Sequence, residues 1–189
     1  VYQETSPKLM HPNLQAIEYA FLRAQQRLLE LAGSVTETSW SAKPAPERWS
    51  AAECVAHLNL TSLAVLPKLQ VAYDQARALP PNTRPRYRHD IVGYLLLLSM
   101  HPRLRIRTKT APDFVPQFVA DKRRSLQEFD HLQDELLSCL RSCDGLALNK
   151  VRISSSFNIS VKYNAYSCFS ILAEHQHRHI AQAEAAAVS

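Results

Sequence analysis

Glycine is almost missing from this chain, with three residues in 189. So little glycine leaves hardly any material for tight hairpins or for a loop that cradles phosphate. Neither a Gly-x-Ser-x-Gly elbow nor a strand-helix alternation of the dinucleotide-binding kind occurs. The four cysteines, Cys54, Cys139, Cys143 and Cys168, include no Cys-x-x-Cys pair and fall in helical or apolar segments. They read as reduced, mostly buried thiols, and a cytoplasmic location is expected. The first residues, Val1 to Thr5, lack a basic stretch followed by an apolar one. The longest apolar run, Ile91 to Met100, is shorter than the roughly 20 residues a bilayer crossing takes, so no membrane partner is expected.

Leucine and alanine lead the composition, and apolar residues make up 46% of the chain, which leans towards helix and supplies one full core. The length fits a single domain over residues 1–189. The formal charge of +5 is basic, and by itself this is a weak pointer to nucleic acid.

Helical periodicity is clearest near the start. His11-Pro12-Asn13 opens a helix that runs to about Ala32, with Gly33 as its expected stop. Leu14, Ile17, Phe21, Ala24, Leu28 and Leu31 recur at steps of three and four, the seam of a helical bundle. A connector with Pro44 and Pro46 leads to Trp49 and Ser50, where Ser50 and Glu53 make a capping box for a second helix reaching about Leu79. A long crossover follows from Arg84 to Pro116, with the short apolar helix Ile91–Met100 inside it. The third helix is predicted from about Pro116 to Asp144-Gly145, its inner face marked by Phe118, Phe129, Leu132, Leu136 and Leu140. Leu146 to Lys162 has no helical period. The last helix is predicted from about Asn164 to Ala187. The expected fold is therefore all-α, a four-helix bundle with a long crossover between the second and third helices.

Histidines carry the chemistry. His175 and His179 are four apart on the last helix, on the stripe that also holds Cys168, Leu172 and Ala183. His57 lies at seam spacing on the second helix. Buried imidazoles are costly unless bonded or ligated, and one divalent ion would satisfy three of them while keeping an open position. The alternative is three hydrogen-bonded core histidines. Glu53 reads as a cap before it reads as a base, and Gln182, one turn after His179, as a surface side chain or a holder of bound water. His177 is out of phase with the pair.

Two segments resemble the DinB/YfiT-like family. Arg48-Trp49-Ser50-Ala51-Ala52-Glu53-Cys54-Val55-Ala56-His57-Leu58 is similar to the start of its second helix, and Glu174-His175-Gln176-His177-Arg178-His179-Ile180-Ala181-Gln182 to its closing His-x-x-x-His motif. The stretch Leu146 to Val161 also resembles the link before its last helix. The resemblance implies a bundle holding one divalent metal ion, zinc or nickel, on His57, His175 and His179. It further implies a metal-dependent enzyme, either a transferase using a low-molecular-weight thiol or a hydrolase acting on a small-molecule substrate. Relatives of this kind are frequently homodimers.

Two other functions compete. One is a nucleic-acid binder built on Arg84, Arg86, Arg88, Arg103, Arg105, Arg107, Lys109, Lys122, Arg123 and Arg124 with Tyr87 interleaved, but no recognition motif accompanies these cations, and a solvated basic face is the expected reading. The other is a non-enzymatic binding module with a structural or vestigial metal site, in which Ile91 to Leu98 serves as a partner or dimer helix or covers the bundle end.

Overall fold

The computed structural model describes residues 9–100 and 110–188. The first residues and the crossover cations Arg103, Arg105, Arg107 and Lys109 lie outside the described residues. The fold is all-α with one small sheet. Its elements are α1 (Pro12–Ser34), α2 (Glu37–Ser41), α3 (Ala51–Arg77), α4 (Ile91–Met100), α5 (Lys122–Ser142), β1 (Arg152–Ser154), β2 (Lys162–Asn164) and α6 (Ala165–Ala187). Single 3-10 turns occupy Pro112–Phe114 and Leu148–Lys150.

The four long helices form a closed ring, α1 and α3 each packing against both α5 and α6. The seam predicted for α1 is the buried face, from Leu14 through Leu31. The helix starts as expected, with Pro12 in its first turn and His11 Nδ1 accepting from the Asn13 amide at 3.1 Å. It does not stop at Gly33. It ends one residue later, where Ser34 Oγ donates to the Leu31 carbonyl at 2.9 Å and the β-branched Val35 turns extended. In α3 the capping box is complete: Glu53 N donates to Ser50 Oγ at 3.2 Å, and Ser50 N to Glu53 Oε2 at 2.8 Å. That helix continues through Pro67.

The third long helix departs most from expectation. It begins at Lys122, not near Pro116, because Asp121 takes the N-cap and accepts from the Arg124 amide at 2.9 Å. Phe118 therefore precedes the helix and is exposed rather than on an inner face. Its other end is as expected: Gly145 adopts φ +85°, a left-handed conformation that favours glycine. The non-periodic stretch after it makes an antiparallel hairpin, with Ile153 opposite Tyr163. Asn164 caps α6 by accepting from the Ser167 amide at 2.8 Å.

The buried apolar residues fall into two clusters. One joins Phe21, Leu69, Leu140 and Phe169, and the other joins Leu28, Trp40, Leu58 and Ile180. Between them in sequence, each of three helices carries buried polar groups: Asn59, Thr61 and Ser62 on α3, Gln133 on α5, and His175 and Gln176 on α6. Gln133 donates to the Phe21 carbonyl at 2.7 Å and to Gln176 at 3.2 Å, and Gln176 returns a bond to Gln133 at 2.8 Å. Such a paired layer fixes the relative height of α1, α5 and α6. Three cysteines are buried, Cys139 is half-buried, and all four are free thiols. Burial pushes Cys54 and Cys168 up to about 12, which disfavours the nucleophilic thiolate form of both.

Candidate metal centre

His57 projects from α3 one turn after Glu53, while His175 and His179 project from successive turns of α6. The packing of α3 on α6 brings the three rings together. One nitrogen from each lies within 4.8 Å of the others, and this is the cluster of potential metal-holding side chains found among the described residues. His57 and His175 are buried, and His179 is half-buried and forms the accessible side.

The hydrogen bonding sets the protons. His57 Nδ1 donates to the Phe114 carbonyl at 2.7 Å, which leaves its Nε2 as a lone pair aimed inward. That lone pair faces His175 Nε2 across 3.1 Å, a gap suited to a shared proton or to a cation that takes both lone pairs. Adjacent nitrogens on a tetrahedral zinc ion, with bonds of about 2.0–2.1 Å, stand roughly 3.3 Å apart, so this pair is already near ligand spacing. The Nδ1 atoms of His175 and His179 are buried without a hydrogen-bond partner. Unpaired ring nitrogens are costly in a packed interior, and an ion on His175 Nε2 would leave its Nδ1 unpaired still.

The electrostatics favour neutral rings, the form that ligates. Burial depresses His57, against the opposing pull of the Phe114 carbonyl. Burial, then the charges of His179, His57 and Arg178, holds His175 well below the ordinary histidine range. Burial and the charges of His57 and Arg178 push His179 down to about 3, against the Gln182 amide, which pulls the other way. Gln182 is thus a neighbour of His179.

Aromatic rings wall the cluster. Trp49 lies 4.9 Å from His57 and 5.9 Å from His179, ring centre to ring centre. Phe157, at the turn between β1 and β2, lies 5.5 Å from His175 and 4.5 Å from Phe114. Phe114 and Phe157 carry no signal in the sequence. Each sits in a stretch without periodicity, and the contribution of Phe114 is partly a backbone carbonyl, which every residue owns.

Three other sequence-singled residues fall elsewhere. Glu53 is committed to the Ser50 amide and to Lys43 Nζ at 2.8 Å. Burial works against its ionised form, but Lys43 and Ser50 outweigh it and its pKa is lowered, which suits a cap and not a proton acceptor at neutral pH. His177 turns to α1, bonding the Ala20 carbonyl at 2.9 Å and Arg27 at 3.2 Å. Tyr87 is buried, its hydroxyl donating to the Cys143 carbonyl at 3.2 Å and accepting from the Gly145 amide at 2.6 Å, so it offers no ring for stacking bases.

A model of the DinB superfamily matches residues 20–183, a span that includes all three histidines. Neither the curated proteins nor the solved structures gave a match.

Proposed function

The chain belongs to the DinB superfamily, and from that premise we propose that it is a metal-dependent enzyme whose divalent ion, zinc or nickel, is held by His57, His175 and His179. The observation that carries this reading is the convergence of three imidazoles, each held towards its neutral form, with one nitrogen from each within 4.8 Å of the others. A divalent ion held there would supply Lewis acidity and lower the pKa of a water or thiol bound to it. Three protein ligands leave a coordination position for a small molecule, the arrangement of a catalytic site rather than a closed structural one.

The residues of the chain do the rest. The Phe114 carbonyl locks the His57 tautomer and ring orientation. Phe114 is buried, while the half-buried Trp49 and the exposed Phe157 flank the rings and narrow the approach to them. A low-molecular-weight thiol attacking an electrophile, and water attacking an ester, are both reactions that such an ion would support. The test is turnover of a thiol with an electrophile, and of esters, by metal-loaded and metal-stripped protein. Turnover that needs the metal and is lost in His179→Ala supports the reading. Equal rates with and without metal across both classes would contradict it and leave a structural metal as the alternative.

A further inference from the structure

The apolar helix α4 carries no charged side chain along its length. One face is seated on α6. Gly93 makes this possible, since a Cβ there would lie 2.2 Å from Ser167 Oγ. Among the described residues nothing covers the opposite face. Ile91, Tyr94, Leu95 and Leu98 are 81%, 53%, 59% and 41% exposed. They stand at i, i+3, i+4 and i+7 and so form one continuous stripe. A contiguous apolar face of this kind marks a protein or membrane contact.

The surrounding charge decides what covers it. Arg84, Arg86 and Arg88 lead into α4 and are all exposed. Arg88 joins Lys150 and Arg152 around a cavity of about 650 Å³ that also touches Ile91 and Val92. Between Arg84 and Met100 the one acid is Asp90, and it is already engaged, accepting from Gly93 N at 3.0 Å and pairing with Arg152 at 2.8 Å. The start of the stripe is thus flanked by Arg88 and Lys150, and residues 84–100 hold no second acid. A second copy of the chain would bring the same cations and the same net positive charge to the contact. An anionic bilayer offers acyl chains to the stripe and phosphates to its border.

We propose that α4 lies in the plane of an anionic lipid surface, its outer stripe among the acyl chains and Arg84, Arg86, Arg88 and Lys150 at the headgroups. A helix too short to cross a bilayer can still lie on one. Ser167, beneath α4, precedes His175 by about 12 Å along α6, so the bound protein would be held by the part of the bundle away from the histidines.

Cosedimentation of the full chain with vesicles tests this. Pelleting is expected with phosphatidylcholine vesicles that contain phosphatidylserine, not with phosphatidylcholine alone, and added salt should reverse it. Leu95→Glu should abolish it. Replacing Arg84, Arg86 and Arg88 with Gln should weaken it about five-fold per arginine. These side chains are exposed, so helix content by circular dichroism should not change, and the arginine variant remains a test if Leu95→Glu unfolds. No pelleting with the anionic vesicles, or pelleting indifferent to the arginines, would overturn the proposal. So would a dimer in solution that Leu95→Glu dissociates, since the face would then belong to a second copy.

Discussion

At the residue scale, what distinguishes the three histidines is how differently their second nitrogens are treated. His57 spends Nδ1 on a carbonyl, whereas His175 and His179 keep theirs buried and unpaired. The closeness of Trp49 to His57 gives this cluster a reporter. Adding Ni²⁺ or Cu²⁺ to the metal-free protein should quench tryptophan fluorescence, and Trp49→Phe should remove most of the quench while Trp40, buried beside Lys122, stays bright. Quenching unchanged in Trp49→Phe would place the metal elsewhere. Glu53→Gln should bind metal as well as the parent protein does, because its carboxylate is turned to the helix cap. The histidines were legible in the sequence because their spacing repeats the helical seam. Phe114 and Phe157 were not, since they reach the cluster through tertiary placement of irregular chain, which leaves no local pattern.

At the element scale, caps and close approaches set where helices begin and how near they come. Ser50→Ala removes the side-chain half of a complete capping box and should cost about 1 kcal/mol, read as a drop in melting temperature of roughly 2–4 °C. Gly93→Ala should destabilise by about 1–3 kcal/mol, since the new methyl meets Ser167 and α4 must lift away. Gln133→Leu alone strands Gln176 in the interior and should cost about 1–3 kcal/mol, while Gln133→Leu with Gln176→Leu should recover most of that loss. A double-mutant cycle checks the coupling. The extents of α1, α3 and α6 were readable from periodicity and caps. The start of α5 was not: Pro116 is a good first-turn residue, but Asp121 is a better cap, and both lie within one stretch with no apolar period to choose between them.

For the whole molecule, the buried neutral histidines tie stability to pH. In the unfolded chain each histidine titrates near 6.5, whereas folding lowers all three, His179 to about 3. Between those values the unfolded chain binds more protons than the folded one. The metal-free protein should therefore hold its full stability above about pH 6.5 and lose it progressively as the pH falls towards 3. His179→Phe should make that slope shallower, as thermal melts across the range would show. Bound metal should raise the melting temperature with its concentration, because it binds the folded state. The polar layer between the two apolar clusters is where composition misled least and explained least. An apolar-rich, glycine-poor chain announces a helical core, yet composition gives no reason for histidine at 57, 175 and 179, a reason that a shared ligand would supply.

The most direct test of that reason is the metal content of the purified protein beside a variant with His57, His175 and His179 all changed to Ala. One equivalent of zinc or nickel in the parent protein, and none in the variant, is the predicted result. Equal metal in both, or none in the parent protein even after reconstitution, would contradict the account.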